Sequence, residues 1–170
     1  MAPSAKNETE GPQGLTHLDP DGHARMVDVS DKTVSQRTAV AEGRIRMALA
    51  TLEAIEVGDV KKGDVVQVAR LAAISAGKRT GDLIPLCHML PGASFSIEVT
   101  MDHSLPGVVM RAEVKVAGQT GVEMEALTAV TVGLLTVYDM AKALDRGMTI
   151  EGVRLLVKDG GKSGRWTADD

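Results

Sequence analysis

The amino-acid sequence predicts an α+β fold in which helices pack on an antiparallel sheet, and three observations carry the prediction. Two alternating segments, Phe95 to Met101 and Val109 to Val116, flank a turn containing Pro106 and Gly107, which is the grammar of a β-hairpin. The helical segments come in blocks, not in regular strand–helix alternation, which favours an antiparallel sheet over a parallel one. The stretch Thr120 to Lys142 (TGVEMEALTAVTVGLLTVYDMAK) reads as a helix with no charged residue from Ala126 through Tyr138. On a wheel of about 100° per residue, Leu127, Val130, Leu134, Val137, Ala141 and Leu144 form one stripe, and Thr128, Val132 and Leu135 form a patch roughly opposite. A helix that is apolar all round has to be buried all round.

Composition narrows the class of protein. The 170 residues suit one domain, and 44% hydrophobic with 25% charged residues is the balance of an ordinary globule. A net charge of -4 argues against binding to nucleic acid or an anionic membrane, so any anionic ligand needs a local basic cluster. With 1 Trp, 1 Tyr and 1 Phe, the core must be built from Val, Leu, Ile, Ala and Met, and there are no stacking platforms for single-stranded nucleic acid. A single cysteine excludes an internal disulfide and suits a reducing compartment. The opening residues lack the apolar run of a signal peptide, and no apolar run reaches the roughly 20 residues of a membrane span. A cytoplasmic location is expected.

In chain order, Met1 to Gly14 is polar, contains Pro and Gly, and is expected to be disordered. His17 and His23 follow in a turn-rich segment; two histidines without a nearby third ligand do not define a metal site. Val27 and Val29 suggest a short strand. From Thr38 to Met47 the residues alternate, with Ala39, Ala41, Gly43, Ile45 and Met47 on one side and Glu42, Arg44 and Arg46 on the other, which is strand periodicity. Ala48 to Val57 reads as a short helix stopped by Gly58. Asp64 can cap a further helix from Val65 to about Ala76. The run Asp82 to His88 contains proline and is expected to be extended. Thr149 to Lys158 makes a last strand, and the tail from Asp159 is expected to be mobile.

Several residues carry chemistry as well as structure. Asp139 and Lys142 stand three apart on one helical face. Among apolar neighbours they lose hydration unless they pair or meet a charged ligand, and spacing alone reads equally well as a structural ion pair. Glu123 and Glu125 at the start of the helix complement its dipole. Cys87 and His88 are neighbours, which on an extended chain point to opposite sides and cannot form a dyad. Cys87 then reads as a small core residue and His88 as the better functional candidate. Gly161-Lys162-Ser163 resembles the end of a phosphate-binding loop, but Leu156 stands where the pattern needs glycine and too few residues remain for the following helix. The P-loop is therefore rejected, while Lys158 and Lys162 stay as candidate anion contacts.

Four stretches taken together exceed general grammar: MVDVSDK (Met26 to Lys32), KGDVVQVARLAAISAGKRTGDLIPLCH (Lys62 to His88), TGVEMEALTAVTVGLLTVYDMAKA (Thr120 to Ala143) and VRLLVKDGGKSG (Val153 to Gly164). They closely resemble the cyclic pyranopterin monophosphate synthase family of molybdenum cofactor biosynthesis, over nearly the whole chain from Leu15 to Trp166. One departure is that Met89 stands where the family continues with proline. The resemblance implies a ferredoxin-like sandwich, a single synthase domain over 15–158 and a lyase acting on (8S)-3',8-cyclo-7,8-dihydroguanosine 5'-triphosphate. It also implies a homohexamer built as a trimer of dimers, with active sites at subunit interfaces.

Carried over residue by residue, the catalytic residues fall on Asp139, Lys142 and Lys158. Substrate contacts fall on Leu86, Cys87, His88, Glu123, Met124, Glu125 and Lys62, and Arg37 resembles an arginine that approaches the phosphates from the partner subunit. No cofactor is implied, and magnesium accompanies the triphosphate without a dedicated protein site. Acid–base duty is shared among Asp139, Lys142 and Lys158, and sequence does not divide it. Two other classes compete: a non-catalytic oligomeric module that binds nucleoside triphosphates with the same lysines, and a metallohydrolase built on His17, His23 and His88.

Overall fold

A computed structural model describes residues 21–169. The segment expected as an N-terminal extension, and His17, lie outside the described residues. In chain order the elements are β1 (Ser35–Arg46), α1 (Leu49–Glu56), α2 (Val65–Gly77), α3 (Thr80–Leu83), β2 (Ser94–Asp102), β3 (Gly107–Gly118), α4 (Glu123–Ala141), β4 (Thr149–Asp159) and β5 (Trp166–Thr167).

The alternation read in β1 is the alternation of its environment. Ala39, Ala41 and Ile45 are fully buried against the helices, while Arg46 on the other face is exposed. Hydrogen bonding places the strands in the order β2-β3-β1-β4-β5, each antiparallel to its neighbour. Without the short β5, this is the order of a ferredoxin-like α+β sandwich, with the helices covering one face of the sheet. The predicted hairpin is β2–β3, paired from Asp102↔Gly107 back to Ser94↔Lys115.

Helix α4 is the centre of the core. Ala126, Ala129, Val130, Leu134 and Val137 are buried among β1, β3 and α2, and full burial of a side chain as large as leucine contributes about 1.5–3 kcal/mol. Gly43 allows the close approach: a Cβ there would lie 2.8 Å from Val153 and 2.9 Å from Val130. By length and composition α4 is apolar enough to cross a membrane, but it is packed as a core helix. The expectation of burial all round is corrected on one side: Leu135 is 55% and Met124 37% exposed. The sheet and α2 cover only part of the cylinder, which leaves an apolar stripe open in the single chain.

Asp64 caps α2 as expected, accepting a hydrogen bond from the Gln67 amide at 3.0 Å. The cap also fixes the turn that carries Lys62. Asp64→Ala is expected to lower stability by about 0.5–2 kcal/mol, read as a lower denaturation midpoint with unchanged m-value.

Three segments differ from their expected structure. Val27 and Val29 lie in irregular backbone and form no strand. Asp82 to His88 is not extended: α3 runs into a turn in which the Cys87 amide bonds the Ile84 carbonyl at 3.0 Å, because the helical turn beginning at Thr80 continues to Leu83 before Pro85 ends it. Beyond Asp159, where mobility was expected, Trp166 and Thr167 pair with Lys158 and Val157 as β5.

Candidate active site

The residues singled out in the sequence gather into two groups at opposite ends of α4. Glu123 and Asp139 are separated by about 24 Å along the helix axis at 1.5 Å per residue.

At the N-terminal end, Leu86, Cys87, His88, Glu123, Met124 and Glu125 line one cavity of about 250 Å³, together with Val27, Val29, Lys32, Leu90, Thr120 and Gly121. Cys87 and His88 both border it because the backbone turns at this point. Met89, the departure from the family pattern, is not among the lining residues and is largely exposed. His88 Nε2 lies 2.9 Å from the Val27 carbonyl oxygen. A carbonyl only accepts, so Nε2 carries a proton and Nδ1 is the ring nitrogen left to other partners.

Glu125 is 5% exposed. Burial pushes its carboxyl above the ordinary range, a backbone hydrogen bond offsets part of this, and the neighbouring Glu123 charge adds to the rise. Burial, and then the charge of Glu125, push the Cys87 thiol up as well, which makes it a poor nucleophile.

Cations stand at the edge of this cavity. Lys158 Nζ lies 3.6 Å from Glu123 Oε1 and donates to Ser163 Oγ at 2.6 Å. Arg37 donates from Nε to the Gly118 carbonyl and from Nη2 to the Gln119 carbonyl, both at 3.3 Å. The Gln119 side chain in turn donates to the carbonyls of Ser30 and Lys32 at 2.9 Å each, tying the MVDVSDK segment to the end of β3.

At the C-terminal end, Asp139 holds two lysines. Its Oδ1 accepts from Lys142 Nζ and its Oδ2 from Lys62 Nζ, both at 2.6 Å, and Lys62 also reaches the Asp139 carbonyl at 2.9 Å. These bonds, with Lys142 first, lower the Asp139 pKa to about 2. The expected loss of hydration is corrected: Asp139 and Lys142 are about half exposed, 54% and 50%, because the last turn of α4 projects beyond the sheet. The trio borders a depression shared with Tyr138, Ala143 and Arg146.

The structure thus joins Lys158 to the His88–Glu125 cavity and joins Lys62 to Asp139 and Lys142, but it does not bring the two groups together within one chain. Lys32, Thr120 and Gly121 were not singled out from sequence, although Lys32 ends one of the quoted motifs. Arg146 carried no signal; it reaches its place through the turn in which Asp145 accepts from the Ala48 and Gly147 amides. Among the described residues no three His, Cys, Asp or Glu side chains converge as a metal site would require.

A buried glutamate and a histidine in one cavity, with lysine and arginine nearby, are groups suited to an enzyme that acts on a small anionic molecule. The chain belongs to the MoaC family, which matches residues 26–161. It is 59% identical to a cyclic pyranopterin monophosphate synthase of Cereibacter sphaeroides (strain KD131) over 91% of this chain and 98% of that protein. It is similar to proteins of the same name from Dinoroseobacter shibae (59% identical; 92% of this chain, 99% of that protein) and Methylobacterium sp. strain 4-46 (62% identical; 91% and 97%).

Proposed function

We propose that this chain converts (8S)-3',8-cyclo-7,8-dihydroguanosine 5'-triphosphate to cyclic pyranopterin monophosphate with release of pyrophosphate, as a lyase of molybdenum cofactor biosynthesis. The observation that carries this reading is the convergence of Leu86-Cys87-His88 and Glu123-Met124-Glu125 on one cavity with Lys158 at its edge. The purine-derived ring opens with entry of water and recloses as a pyrazine with its loss, a sequence of proton transfers. Glu125, with its raised pKa, and His88 Nδ1 face the guanine-derived edge and serve those steps. The cyclic phosphate forms when the sugar hydroxyl attacks the α-phosphorus and the bond to pyrophosphate breaks. That step needs alignment and neutralisation of charge, which Arg37, Lys158, Lys62 and Lys142 supply. No cofactor is required, magnesium arrives on the triphosphate, and the reaction is cytoplasmic.

The active site in this reading is shared between copies, in an assembly of three dimers. The separation of the two groups and the open stripe on α4 support it. Thr131 lies midway between Glu123 and Asp139, so two antiparallel copies of α4 crossing there bring Asp139 and its two lysines in one chain to the cavity of its partner.

Supplying purified protein with the cyclic dihydroguanosine triphosphate is expected to release pyrophosphate and cyclic pterin phosphate in equal amounts, and Lys142→Ala to lose both. Asp139→Asn and Lys158→Ala, each inactive alone, are expected to recover about a quarter of wild-type activity when co-expressed at equal levels, since random isologous pairing leaves that share of sites intact. No recovery in a correctly folded co-assembly would show that all catalytic groups come from one chain.

A further inference from the structure

The glycine-rich segment after β4 fails the P-loop pattern in sequence, yet it folds back onto the cationic rim of the cavity. Gly160, Gly161 and Gly164 all have positive φ, at 98°, 75° and 63°. The Gly164 amide closes the loop on the Gly161 carbonyl at 3.2 Å, and β5 clamps its far end through the Lys158↔Trp166 pairing and a 2.8 Å bond from the Ala168 amide to the Leu156 carbonyl. The segment is therefore tied at both ends.

What it covers is specific. Ala39 on β1 pairs with Lys158 on β4, so Arg37, just before Ala39, lies beside the point where the chain leaves β4. A Cβ on Gly161 would collide with the Arg37 guanidinium, and one on Gly160 with the Gln36 carbonyl. The positive φ at Gly161 favours glycine, and the backbone there lies against Arg37. Ser163 then brings its hydroxyl to the Lys158 ammonium at 2.6 Å. An ammonium only donates, so the serine oxygen accepts this bond and keeps its own proton to give. Lysine ammonium and serine hydroxyl in contact, with the Arg37 guanidinium against the same glycine loop, make a donor set for phosphate oxygens.

We propose that residues 160–164 are a phosphate-binding loop in which Ser163 aims the Lys158 ammonium and donates its hydroxyl proton to a phosphate oxygen of the substrate, on the side that leaves as pyrophosphate. This rests on the reaction proposed above for the same cavity. Ser163 is a positioning residue for Lys158 and a binding residue for the leaving group.

The test uses the full-length protein with inorganic pyrophosphate as probe by calorimetry, beside steady-state turnover. Ser163→Ala is expected to raise both the pyrophosphate Kd and the substrate KM about tenfold, the loss of one hydrogen bond to a charged group, with a smaller change in kcat. Ser163→Thr keeps the hydroxyl and is expected to restore both. In a Lys158→Ala background, Ser163→Ala is expected to raise the pyrophosphate Kd by less than it does alone, because the two act on one phosphate. Unchanged KM and pyrophosphate Kd in a Ser163→Ala variant with wild-type Tm would overturn the proposal, as would a threonine variant no better than alanine. Serine-dependent pyrophosphate binding without turnover would instead leave the loop standing and sink the proposed reaction.

Discussion

Replacing Asp139 by asparagine is expected to lower kcat by about 10²- to 10⁴-fold while the triphosphate binds at least as tightly as to the wild type. The geometry explains the split. The carboxylate is held by Lys142 and Lys62 at 2.6 Å each, and its pKa of about 2 keeps it ionised at every pH at which the protein would be assayed. It cannot be the group whose protonation sets a neutral pH profile. Its work is to hold two ammonium groups in place, and asparagine keeps the shape but loses the charge that orients them. Both lysines then become free to meet phosphate, so affinity does not suffer. The linkage follows the same sign: a depressed carboxylate pKa contributes stability that is present above the ordinary value of 3.8 and lost only as pH falls through about 2. Single-turnover rates beside equilibrium binding of the triphosphate check this, and undiminished product formation by Asp139→Asn would remove the residue from the mechanism.

Glu125→Gln is expected to lose about 10²- to 10⁴-fold in kcat and to abolish the acid limb of the kcat profile. Glu125 sits at 5% exposure, and burial holds its pKa above the ordinary 4.5. In the proposed reaction Glu125 acts as a base, and a base with a raised pKa gains its ionised form as pH climbs through that value, so wild-type activity should fall on the acid side and the glutamine variant should show no such limb. Stability moves the opposite way. With the folded pKa raised, the native state binds the proton more tightly than the unfolded chain, so the carboxyl costs stability as pH rises above 4.5, and the cost levels off above the native pKa. The glutamine variant is therefore expected to unfold at higher temperature than the wild type at pH 8, with the margin closing as pH falls. A Tm difference that does not change with pH, or an acid limb that survives the substitution, would assign the limb to another group.

Much of the architecture is written in local patterns. The alternation of β1, the Pro106-Gly107 turn of the hairpin, the Asp64 cap and the charge-free body of α4 each depend on residues a few positions apart, and each is found where those residues stand. The quoted motifs identify the family because side chains that must meet one ligand constrain one another along the whole chain. Other features were not legible, because periodicity tells which face of an element is apolar but not what covers it. The apolar body of α4 suggested burial all round and a dehydrated Asp139–Lys142 pair, whereas the sheet and α2 cover one side and leave that pair in water. Conversely, local pattern reads Glu125 as a dipole-complementing acid at a helix start, the resemblance makes it a substrate contact, and neither shows that it is among the most buried charged groups described. Which lysine joins which acid was likewise decided by packing: Lys62 lies 77 residues from Asp139 in sequence yet bonds it directly, and the loop at Gly160–Gly164 closes on Arg37 only because β1 and β4 are neighbours. The sequence by itself determined the main elements, the family and the inventory of acids and cations. The tertiary structure decided their partners and their exposure, because hydration and pairing are set by contacts between segments that local pattern does not encode.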